Sequence, residues 1–61
     1  MPTLTSKELT ALEDQLTIEQ NVILKYKMYA ATATNPAIRT KCESMAARHQ
    51  QHYNTLLAQL Q

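Results

Sequence analysis

The one break in this chain's helical periodicity falls at Thr34-Asn35-Pro36, and it divides 61 residues into two long apolar rows. Upstream, Leu9, Leu12, Leu16, Glu19, Ile23, Tyr26, Ala30 and Ala33 recur at alternating steps of three and four. That spacing puts them on one face of a helix. Downstream, Ile38, Cys42, Met45, His49, His52, Leu56 and Leu60 follow at steps of four, three, four, three, four and four. The sequence has no Gly and draws heavily on Ala, Leu, Gln and other good helix formers, so nothing competes with a helical reading on either side of the break.

The ends of both rows carry boundary signals. Thr5 can cap the backbone N–H of Glu8, Glu8 can reach back to Thr5, and Leu4 can pack on Leu9, which predicts a helix from about residue 6. It should end near residue 34, because Thr32, Thr34 and Asn35 are weak formers and the residue before Pro36 disfavours the α region. Asn35 then caps a second helix, about 36–60, with Pro36 at its first position. A connection of only one or two residues makes the helices antiparallel neighbours. The expected class is all-α: a single domain over residues 1–61, folded as an antiparallel two-helix hairpin. A chain this short buries little apolar surface alone. Ile18, Val22 and Tyr29 widen the first apolar stripe, as expected if the hairpin dimerises into a four-helix bundle.

Several function classes lose support at this stage. Six basic and five acidic residues give a formal charge of +1, and the basic residues are spread along both helices. No stripe is left for a nucleic-acid backbone or an anionic membrane. Met1-Pro2-Thr3-Leu4 lacks a secretory pattern, and no apolar run approaches the ~20 residues of a membrane span. With the single Cys42 reading as a small core residue, the expected location is intracellular. Met28 and Met45 read as gap fillers, and Tyr26, Tyr29 and Tyr53 as amphipathic packing, with hydrogen bonding to a site or a radical beside a redox metal as their other reading. No nucleophile–base arrangement or phosphate loop is present.

What remains unexplained is a polar layer. In a hairpin turning near Thr34-Asn35, residues whose numbers sum to about 69 lie level with each other, so Glu19 faces His49 and His52. Leu16 and Ile23 close this layer above and below. Burying a carboxylate and two imidazoles costs several kcal/mol unless every polar atom finds a partner. A divalent ion removes that cost directly, since carboxylate and neutral imidazole are ordinary ligands of zinc, iron and manganese. Two hairpins would bring two Glu and four His into one bundle. The other reading is a metal-free layer whose hydrogen bonds only fix the register of pairing. Glu43 lies off the row and reads as a solvated or interfacial charge.

Leu12-Glu13-Asp14-Gln15-Leu16-x-x-Glu19, Lys25-Tyr26-Lys27-x-Tyr29-Ala30, Asn35-Pro36 and Arg48-His49-Gln50-Gln51-His52-Tyr53 together resemble the spore coat protein F-like family, small members of the ferritin-like group. The likeness runs over most of the chain, and its last motif is the most specific. It implies a helical hairpin that pairs into a four-helix bundle, a place in or around the spore coat, and other coat proteins as partners. By the same resemblance, Glu19 is similar to the first-helix carboxylate of ferritin-like di-iron sites and His52 to the His of Glu-x-x-His. His49 stands where that motif has its Glu. Fewer bridging carboxylates weaken the expectation of di-iron redox activity and suit zinc equally well.

Overall fold

A computed structural model describes residues 3–60, which form two α-helices and no strand. α1 spans Ser6–Thr32 and α2 spans Pro36–Ala58. Contacts run in opposite senses along the pair: Arg39 reaches the Ala33 carbonyl beside the turn, while farther out Glu19 meets His49 and Gln20 meets Tyr53. The molecule is therefore a helical hairpin. The expectation concerning Met1 and Pro2 lies outside the described residues.

The N-terminal cap forms as its residues dictate. Thr5 is extended (φ −71°, ψ 160°), its backbone N–H donates to Glu8 Oε1 at 3.0 Å, and the Glu8 N–H donates to Thr5 Oγ1 at 3.0 Å. The Thr5 backbone N–H, and secondarily its hydroxyl, hold the Glu8 carboxyl below its ordinary value of 4.5. A carboxyl lowered on folding stabilises the folded state above its unfolded pKa. That contribution is lost as pH falls from about 4.5 through the lowered value. Circular dichroism between pH 6 and pH 2 should therefore show a loss of helix that is smaller in Glu8→Gln than in the parent chain; equal curves would remove the capping box from the account.

Both helices stop earlier than expected. α1 ends at Thr32, two residues before the expected end at 34, because Ala33 already turns extended (φ −68°, ψ 130°). The Thr32 hydroxyl donates back to the Met28 carbonyl at 3.1 Å, and the Ala33 N–H donates to the Tyr29 carbonyl at 2.9 Å, so some of the last carbonyls are already served. The connection accordingly takes residues 33–35 and not one or two. Asn35 still caps α2, its Oδ1 accepting from Ala37 N–H at 2.8 Å and Ile38 N–H at 3.2 Å, with Pro36 at the first helical position. Arg39 ties the turn by donating to the Ala33 carbonyl at 2.9 Å. α2 ends at Ala58 instead of about residue 60. Gln59 and Leu60 bond the carbonyls three residues back, a tightened final turn.

The core is one line of side chains. Leu16, Glu19, Ile23 and Ala30 of α1 are buried as the expected row requires, although Leu9 at its start is exposed. α2 departs further from expectation. Its buried residue is Ala46, flanked by half-buried Cys42, Met45, His49, Gln50, Tyr53, Leu56 and Leu57, whereas Ile38, His52 and Leu60 of the expected row are exposed. The helix is turned about its axis so that two small residues, Ala30 and Ala46, line the same groove and let the backbones approach. Ile38 and His52 move to the rim. Met28, expected to fill a gap, also lies exposed, on the outer side of α1.

Candidate metal centre

The polar layer sits where α1 is most buried. Glu19 is 8% exposed and lies between Leu16 and Ile23, one turn away on either side. Its carboxylate cannot escape to water by extension, because helical geometry aims the side chain at α2. His49 Nδ1 lies 2.7 Å from Glu19 Oε2, a charge-assisted hydrogen-bond length. With Glu19 ionised, the proton of that bond is on Nδ1, since a carboxylate only accepts. A metal ion held by the same two atoms would replace that proton.

The second carboxylate oxygen is held more loosely. Oε1 receives Gln15 Nε2 at 3.5 Å and faces His52 Nδ1 at 3.9 Å, too far for a hydrogen bond. His49 and His52 differ correspondingly in exposure, their side chains being 22% and 53% accessible. The layer is thus closed on the His49 side and open on the His52 side. Glu19, His49 and His52 each offer a ligand atom, and these atoms lie within 4.8 Å of one another. Ligands of a tetrahedral zinc at about 2.0–2.1 Å stand roughly 3.4 Å apart, so small side-chain rotations bring the three into range. The residues fit an ion of this kind.

An aromatic row supports the histidines. Tyr26 stacks on His49 (centroids 5.9 Å apart, planes 16° apart), Tyr29 meets Tyr26 edge-on at 6.4 Å, and His52 meets His49 edge-on at 5.5 Å. Stacking fixes the His49 ring plane and leaves its nitrogens in the plane of the layer. From the sequence, Tyr26 reads as packing or as a hydrogen bond to the site, and its stacking on His49 is missed, although its place one row above the layer in the same stripe as Glu19 signals it. Gln15 was missed as well; its position four residues before Glu19 is the signal. Glu43 and Arg39 lie on the opposite flank, along the Ala30–Ala46 groove with Lys27, and take no part in the layer. Tyr53 also turns that way and accepts from Gln20 Nε2 at 3.2 Å. Cys42 is half-buried and free.

Compared with protein-family models, curated proteins and solved structures, the chain matches none. Among the described residues no helix is long and apolar enough to cross a membrane.

Proposed function

We propose that this chain binds a divalent metal ion, zinc, iron or manganese, through Glu19, His49 and His52, inside a four-helix bundle made by two hairpins. The observation that carries the reading is the convergence of a carboxylate only 8% exposed with two imidazoles from the neighbouring helix, all within 4.8 Å. Chemistry favours it, because a borderline cation takes this mixture of oxygen and nitrogen donors and neutralises the buried charge. The pairing has separate support. The radius of gyration is 14.4 Å, against about 10.5 Å for a compact domain of this length, and among the described residues the buried hydrophobics are Leu16, Ile23 and two alanines. A second hairpin supplies the missing half of such a core. The resemblance to spore coat F-like proteins adds a setting, a metal-holding module among coat proteins.

A second reading rests on the 2.7 Å bond between His49 and Glu19. That bond satisfies the buried carboxylate without an ion, so a metal-free layer that only specifies pairing in a coat assembly is its direct competitor. Calorimetric titration of untagged protein with zinc separates the two. The metal reading expects saturable uptake that falls by at least about a hundredfold in His49→Ala. Uptake that is absent, or unchanged in the variant, leaves the metal-free layer.

A further inference from the structure

The two flanks of the hairpin differ in kind. On one, Gln20 bonds Tyr53 and a groove floored by Ala30 and Ala46 is rimmed by Lys27, Arg39 and Glu43. On the other lie His52 and the open side of the Glu19 layer. The ring contacts running from Tyr29 through Tyr26 and His49 to His52 place Tyr29 on that second flank too. Helical spacing extends it. Ile38 and Met45 precede His52 by two and one heptads on the same line of α2, and Ile18, Val22 and Tyr29 form one stripe of α1, at steps of four and seven. Ile18 and Ile38 are 52% and 56% exposed. An apolar face is the result; it runs from the open side of the ligand set toward the turn, and Ala11, Leu12 and Leu56 continue it beyond the set.

Resting on the metal reading above, we infer that this face is where a second copy of the chain docks, and that the ion and the docking are linked: each binds more tightly in the presence of the other. The reasoning starts from coordination. One hairpin presents three donors to an ion with four positions, so on one copy the position missing from the protein is filled by water. The missing position lies toward His52 and the apolar rim, where only a protein surface that is itself apolar with ligands at its centre can both complete the ion and cover Ile18 and Ile38. A two-fold copy of this same face meets both needs. A formal charge of +1 per chain gives two copies little repulsion to overcome. Because the two-fold copy brings a second Glu19, His49 and His52 to the same place, an ion that takes donors from both copies holds the dimer more tightly than the monomer. By reciprocity the dimer holds the ion more tightly by the same factor.

Sedimentation equilibrium of the full chain in chelator and in zinc, with zinc affinity read by competition against a chromophoric chelator, tests the linkage. Zinc should tighten the dimer by about tenfold or more, and the effect should vanish in His52→Ala. Ile18→Glu and Ile38→Glu change residues that are exposed on the hairpin and leave its core alone; each should weaken both pairing and zinc affinity. Leu24→Glu, on the opposite flank beside Gln20 and Tyr53, should change neither. Zinc taken up with the same affinity at all protein concentrations, or a dimer indifferent to bound zinc, overturns the linkage while leaving metal binding in place. Absence of zinc uptake removes both. Loss of pairing in Leu24→Glu with none in the isoleucine variants overturns the assigned face.

Discussion

Zinc at about one hundred times its dissociation constant should raise the thermal unfolding midpoint by roughly 10–20 °C. A ligand at that excess adds about 2.7 kcal/mol, and in a domain this small each kcal/mol moves the midpoint by about 4–8 °C. The gain should disappear when Glu19, His49 and His52 are all replaced by Leu. In zinc-free buffer that triple variant should be as stable as the parent chain or more so, because a buried polar layer exchanged whole for apolar side chains loses its desolvation cost along with its contacts. His49→Leu alone should behave oppositely. It strips Glu19 of its 2.7 Å partner and leaves a carboxylate 8% exposed with only long contacts, a loss of about 1–3 kcal/mol. Differential scanning calorimetry of the three proteins with and without zinc reads all of this. A zinc shift retained in the triple variant would assign the ion to other residues.

Ile23→Ala should be the most damaging single core substitution. Ile23 is 6% exposed, closes the polar layer on its turn-proximal side, and is one of two large hydrophobics buried among the described residues. Truncating a buried Ile to Ala costs about 2–5 kcal/mol, a large part of what a chain of this size has in total. The next residue provides the contrast: Leu24 is 66% exposed, and Leu24→Ala should stay within about 0.5 kcal/mol of the parent. Denaturant melts at one protein concentration measure both. Similar midpoints for the two variants would mean that the line through Leu16, Glu19 and Ile23 is not the core.

How much of this was legible in the sequence can be judged element by element. Thr5 with Glu8, and Asn35 with Pro36, are local chemistry, and local chemistry placed the start of each helix well. The pairing of Glu19 with His49 and His52 followed from counting outward from the turn, which works because both helices rise equally per residue. The rotation of α2 did not follow. Periodicity ranks a row by its large apolar residues and passes over Ala46, yet a small residue is what allows close approach to α1, and that approach turns Ile38 and His52 outward. The half-open state of the layer, with Glu19 Oε1 3.9 Å from His52 Nδ1, is a consequence of the same rotation and was equally out of reach of a pattern. The proposed pairing into a bundle rests on what the hairpin leaves uncovered, a matter of exposure more than of spacing.

The most direct measurement is the metal content of untagged protein by elemental mass spectrometry, made together with a native mass and repeated on Glu19→Ala. The account predicts zinc, iron or manganese at about one-half or one equivalent per chain, carried by a species of twice the chain mass, and lost in the variant. A dimer free of metal that takes up none of the three when they are supplied would contradict it, and would leave Glu19, His49 and His52 as a hydrogen-bonded layer that sets the pairing of two hairpins.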